Sequence, residues 1–205
     1  MSPPVAVEPC SHVEVMVEEP SMEAALRILL PRMLGEVTFN VYQHQSKAEL
    51  LKRLPGRLRG YARSLPPSWR IVVVIDRDND AADELRDRLD QIAREAGFGA
   101  DRPMVINQLA IEELEAWYFG DWAAVRRAYA RVPAISQQAR FRHPDEIKGG
   151  TWEAFEQILQ GAGYFLGGLR KIEAARAVAE HMEPARNRSP SFGALRDSLA
   201  SLVAA

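Results

Sequence analysis

The chain has 205 residues, with 26 lysines and arginines against 28 aspartates and glutamates, a formal net charge of −2. No global field therefore draws it to nucleic acid, so any basic surface must be local. Apolar residues at 47% and charged residues at 26% exclude a disordered or fibrous chain and allow one ordinary globular core. The single cysteine, Cys10, excludes an internal disulfide and fits a reducing cytoplasm. No apolar run approaches the ~20 residues of a membrane span. The opening MSPPVAVEPCSH lacks the charged start and apolar core of a signal peptide, and residues 1–12 are expected to be a loosely ordered leader.

His12 to Val17 (HVEVMV) alternates as a strand and ends at Glu18, Glu19 and Pro20. A helix is predicted from Ser21, with Met22, Ala25, Leu26, Leu29, Leu30 and Met33 on one face and Gly35 at its end. Val37 to Tyr42 is a second strand. Ser46 and Glu49 form a capping box for a helix carrying Leu50, Leu51, Leu54, Leu58, Tyr61 and Leu65, with a kink or break expected at Pro55-Gly56. Ile71 to Ile75 is an unbroken β-branched run, the pattern of a strand buried on both faces of a parallel sheet. A helix from about residue 82 to 96 and a strand over Pro103–Leu109 follow. This alternation predicts an α/β core over residues 13–110, a parallel sheet flanked by helices. From Ile111 onward only helices are expected: IEELEAWYFG, a segment capped by Asp121, one capped by Thr151, one over GLRKIEAARAVAEHM, and a last one capped by Ser189 or Ser191. Residues 111–205 are thus a helical C-terminal half, packed on the core.

The third strand runs into Asp76, Arg77, Asp78, Asn79 and Asp80. Carboxylates at i, i+2 and i+4 beyond the carboxyl end of a parallel strand stand where open α/β sheets bind ligands. Crowded hard oxygens repel one another unless a cation lies between them, which suits Mg²⁺ or Mn²⁺. The plainer alternative is a turn in which Asp80 caps the next helix. Glu18 ends the first strand as Asp76 ends the third, so both point to one rim. Glu112 and Glu115 share a helix face just after the fourth strand, able to join that rim or to sit in a solvated helix start. Trp117 and Tyr118 are read as core rather than base-stacking platforms. Lys47, Lys52, Arg53, Arg57, Arg59, Arg63 and Arg70 form either a phosphate-tracking ridge or the wet face of an amphipathic helix. Arg170, Lys171, Arg186 and Arg188, with Asn187 and Ser189, form a second candidate patch. None of the four histidines pairs at zinc-ligand spacing, and there is no G-x-x-x-x-G-K-[ST], so any ATPase activity belongs to a partner.

Five ordered blocks carry a closer likeness: VEEPSMEAALRILLP, HQSKAELLKRLPGRLRGYA, VVVIDRDND, IEELEAWYFGDWAAV and GLRKIEAARAVAEHMEPARNRSPSF. Over residues 13 to 200 the chain resembles the bacterial family called domain of unknown function 4276 (DUF4276), a Toprim-like group. The resemblance implies a Toprim-like core, similar to the nuclease half of the overcoming-lysogenization-defect proteins, which work with an ABC-type ATPase. Some relatives are thought to act in phage defence. Glu18 and Glu23 fall on the family's V-E-G-P-[ST]-x-E block, Asp76, Asp78 and Asp80 on its D-x-D-x-D, and Glu115 on its E-A-W; Lys171 and Ser189-x-Ser191-Phe192 match the later blocks. Glu19 stands where the family has Gly, Ser46 replaces the Gly of Q-G-K, and Ala81 and Ala82 lie where a Cys is common. The implied activity is Mg²⁺- or Mn²⁺-dependent phosphodiester hydrolysis of DNA or RNA. Glu18, Asp76, Asp78 and Asp80 would hold metal, with Glu115 and Lys171 assisting catalysis. The alternatives are a catalytically idle interaction subunit of an ATPase complex and, against the pattern after Asp78, an aspartate phosphotransferase. Oligomeric state is not legible.

Overall fold

The computed structural model describes residues 8–77, 80–99, 104–110, 113–135 and 138–204. Four strands, β1 (His12–Val17), β2 (Thr38–Gln43), β3 (Trp69–Asp76) and β4 (Val105–Ala110), form one sheet in the order β2-β1-β3-β4, every pair parallel. The chain leaves β1 toward one edge and returns from β2 across it toward the other. Right-handed crossovers then force α1 (Pro20–Leu34) onto one face of the sheet and α2 (Lys47–Ser64) and α3 (Ala82–Glu95) onto the opposite face. The packing agrees: Leu50, Leu54, Leu58, Leu85 and Leu89 share a core with Ile71, Val73 and Ile75, whereas Leu26, Leu29 and Leu30 pack with Val15, Val72 and Val74.

One helix cannot cover four strands, and the C-terminal half fills the rest of the α1 face. α4 (Glu115–Gly120), α5 (Trp122–Ala128), two short 3₁₀ turns (Ala139–Phe141 and Pro144–Glu146), α6 (Thr151–Gly161), α7 (Lys171–Ala179) and α8 (Pro190–Ala204) follow in order. α7 packs on α1 and α8 on β4, so residues from both halves of the chain share one apolar core. Trp117, Tyr118 and Phe119 lie at its centre, all at most 1% exposed. Ile71 to Ile75 are fully buried, as the continuous β-branched run requires.

Several local expectations are corrected. α2 runs through Pro55 and Gly56 unbroken, because Leu50, Leu54 and Leu58 on its buried stripe hold it to the sheet beyond the loss of one backbone bond. Thr151 is the first residue inside α6, not its cap; Gly150 precedes it. β1 is buried along its whole length, Glu14 included. Glu14 accepts from Tyr61 Oη, from Asn40 Nδ2 at 3.0 Å, and bonds His12 Nε2 at 2.9 Å. Burial opposes its charge, but these donors together hold its pKa below the ordinary value.

The second basic patch is also corrected. The Arg186 fork clasps buried Asp121 at 2.7 and 2.9 Å, and Asn187 Nδ2 donates to Trp117 O at 2.8 Å. Ser189 Oγ donates to Asp145 at 2.6 Å and accepts from Phe192 N–H, capping α8. Arg186, Asn187 and Ser189 thus form a staple between α4, α5 and α8, while Arg188 is exposed. Arg70 likewise leaves the proposed ridge: it is buried, its guanidinium donating to Pro67, Trp69 and Glu8 carbonyls. Among the described residues no helix is long and apolar enough to cross a membrane.

Gly120 sits under the staple, where an added Cβ would meet the pinned Asn187 side chain and lie 2.8 Å from Ser189 N. Gly120→Ala is expected to cost about 1–3 kcal/mol. Urea denaturation checks this; wild-type stability in the variant would show that the staple yields freely.

Candidate functional site

The strand order turns about between β1 and β3, the switch point at whose carboxyl ends open sheets form a crevice. Glu18 follows β1 directly and Asp76 is the last residue of β3. The Asp76 backbone N–H donates to Glu18 Oε2 at 3.1 Å, so the two residues foreseen on one rim adjoin there. Asp76 is 5% exposed and Glu18 partly exposed, a gradient from floor to mouth. Asp78 lies outside the described residues, as does Glu112.

Asp80 contacts α2. Its Oδ2 accepts from Lys47 Nζ at 2.9 Å, and the same ammonium donates to Arg77 O at 3.0 Å. It does not cap α3, whose N-cap, Ala81, makes no side-chain bond. Glu23 pairs with Arg27 at 2.8 Å on the α1 surface.

Glu115 and Lys171 join the rim from the C-terminal half. Glu115, the first residue of α4, is 1% exposed, and its Oε2 has no hydrogen-bond partner among the described residues. Burial raises its pKa to about 7; the Lys171 ammonium pulls it down, and the Glu19 and Glu113 carboxylates push it up. Burial also disfavours the Lys171 charge, yet Glu115, Glu19, Glu113 and Asp76 together hold its pKa above the ordinary lysine value. Lys171 Nζ stands 3.9 Å from Glu19 Oε2 and 5.4 Å from the Trp152 ring centre.

Three members of the cluster were not foreseen. Glu19, which sequence alone marks only as a departure from Gly, is the nearest carboxylate partner of Lys171 and also accepts from Ser21 Oγ. Glu113 Oε2 accepts from Thr151 Oγ1 at 2.8 Å and Trp152 N–H at 2.9 Å, acting as the cap that α6 lacks locally. Tyr118 is buried in the core as expected, but its hydroxyl has no partner among the described residues, and burial with the charges of Glu115, Glu19 and Asp76 raises its pKa well above the ordinary value.

Among the described residues no three His, Cys, Asp or Glu side chains are disposed as a ready metal cage. The donor chemistry nevertheless fits a hard cation: Glu19, Asp76, Glu113 and Glu115 act together on the Lys171 ammonium, Glu18 adjoins Asp76, and the buried Glu115 Oε2 has no hydrogen-bond partner among the described residues.

Fold and site together define a doubly wound parallel α/β protein with an acidic, lysine-bearing crevice at its switch point. The family described as domain of unknown function, DUF4276, matches residues 17–200, and the chain belongs to it. No curated protein and no solved structure matches the chain.

A pH dependence follows for the metal-free protein. The native Glu115 carboxyl holds its proton to about pH 7, against an ordinary value of 4.5. Its contribution to stability is therefore full below pH 4.5 and is lost as pH rises through 7. Glu115→Gln, which cannot ionise, is expected to exceed wild type at pH 8 by up to about 3 kcal/mol and to converge with it in acid. Urea melts in EDTA at both pH values check this, and a gap independent of pH would contradict it.

Proposed function

We propose that this protein is a metal-dependent phosphodiester hydrolase, a nuclease or nuclease subunit on a Toprim-like core. The observation that supports it is the 3.1 Å bond from the Asp76 backbone N–H to the Glu18 carboxylate, which sets two acidic residues from the ends of adjacent parallel strands side by side at the switch point. Glu18 and Asp76, with Asp78 of the same D-x-D, would hold Mg²⁺ or Mn²⁺. Such an ion supplies Lewis-acid polarisation of a phosphoryl oxygen and generates hydroxide from water.

The chain's own groups divide the remaining work. Lys171 keeps its proton at every working pH and neutralises charge developing on the phosphoryl oxygens. Glu115, titrating near 7, takes or gives a proton at Oε2. Glu113 fixes the start of α6 and with it Trp152 beside Lys171. In this reading Asp80 is a tether rather than a ligand: through Lys47 it ties the segment after β3 to α2.

A second reading, an idle effector subunit of an ABC-type ATPase, is favoured by one contact. Glu19 stands 3.9 Å from Lys171 Nζ, so an internal carboxylate holds the cation that a phosphate would need. Cleavage assays separate the two. Purified protein with Mg²⁺ or Mn²⁺ is expected to cut DNA or RNA, and Asp76→Ala, Glu18→Gln and Lys171→Ala each to lower the rate by on the order of 100-fold or more. Absence of cleavage, alone and with the ATPase partner, would leave the effector reading standing.

A further inference from the structure

The carboxylates of the crevice repel a phosphate chain, so a polyanionic substrate must arrive over cations. On the α2 side they stand on a polar helix face: Lys47 bonds Asp80, Arg53 bonds Glu49 and Arg57 lies over the Tyr42 ring at 3.9 Å, while Lys52, Arg59 and Arg63 are exposed. The α7 side sets its cations among aromatic rings and exposed apolar side chains. Around the segment joining α6 to α7, Arg131 lies over the Tyr164 ring at 4.4 Å, Arg170 over Phe165 at 5.2 Å, and Lys171 over Trp152 at 5.4 Å. Leu166 is 76% exposed and Ile172 42%, two of the three large hydrophobic residues left exposed among those described. Phe165, with φ 50°, is the one described non-glycine residue in the left-handed region. From Lys171 a groove of about 750 Å³ continues along α7 past Ile172 and Arg176.

We propose that this lip is a track for a single-stranded polynucleotide, feeding the crevice; the proposal rests on the hydrolase reading. Cations follow the phosphates, while the aromatic and apolar groups between them take the faces of unpaired bases. A duplex cannot satisfy such a surface, because its base faces are already stacked on one another. Glu173 does not close the track: its bridge to Arg170 at 3.0 Å joins side chains 53% and 70% exposed, which a phosphate displaces at little cost.

Fluorescence anisotropy of the full-length protein with labelled single-stranded DNA, single-stranded RNA and a matched DNA duplex, in EDTA so that nothing is cut, tests the proposal. Single strands of at least one kind are expected to bind about tenfold or more tighter than duplex. Leu166→Ser/Ile172→Ser, at exposed positions that leave the melting temperature unchanged, is expected to lower that affinity about tenfold. Equal affinity for duplex, no binding at all, or an unaffected double variant overturns the track; the DNA and RNA arms tell which strand is preferred. The outcomes separate from those of the hydrolase reading. Duplex cleavage that needs Asp76, with no single-strand preference, removes only the track. Single-strand binding lost in the double variant, without metal-dependent cleavage, removes only the hydrolase.

Discussion

The crevice depends on the parallel pairing of β1 with β3. Val17 pairs with Val74, and the next residues out, Glu18 and Ile75–Asp76, lie where the sheet's hydrogen bonding stops and its carboxyl rim begins. Because the chain leaves β1 for β2 on one side and β3 for β4 on the other, no crossover helix covers this point from above. The buried run Ile71–Ile75 fixes the height at which Asp76 emerges, since a one-residue slip would turn that carboxylate to the other face. The Glu18 carboxylate then does at the rim what a further strand residue would do, taking the Asp76 N–H.

Charge balance makes the crevice more than a strand end. Four carboxylates act on the Lys171 ammonium, and burial drives Glu115 toward its neutral form. A buried acid beside other acids is a cost to the fold, of the kind retained where chemistry or a ligand compensates it. The helical half is what assembles this balance. α4 places Glu115, the α6 start fixes Glu113, and α7 delivers Lys171 across the α1 face. The staple of Asp121, Asp145, Arg186, Asn187 and Ser189 ties α4 to α5 and α8.

Much of this was legible in the sequence because it is local. The β-branched run, the leucine spacing of α1 to α3 and the acid after each strand gave the parallel sheet and placed Glu18 and Asp76 at one rim. Glu115 and Lys171 were legible as candidates, and the structure brings both to it. What escaped depends on partners distant in the chain. Glu14 looks like the polar face of an alternating strand, yet its partners come from positions 12, 40 and 61. The Arg186–Ser189 segment looks basic and exposed, yet Asp121 and Asp145 consume it. Asp80 matched a ligand block, and its bond to Lys47, 33 residues away in the chain, was not legible there. Pro55 signalled a break that burial of one helical stripe overrides.

Glu18 and Asp76 are proposed to bind a divalent cation in the crevice. Thermal unfolding in EDTA and in millimolar Mg²⁺ or Mn²⁺, for wild type beside Glu18→Gln/Asp76→Asn, tests it most directly. A ligand of the native state at tenfold its dissociation constant adds about 1.4 kcal/mol. For a chain of this size that raises the melting temperature by roughly 3–6 °C. The account predicts that rise in wild type and its loss in the double variant. The same response in both proteins, or none in wild type, would contradict it.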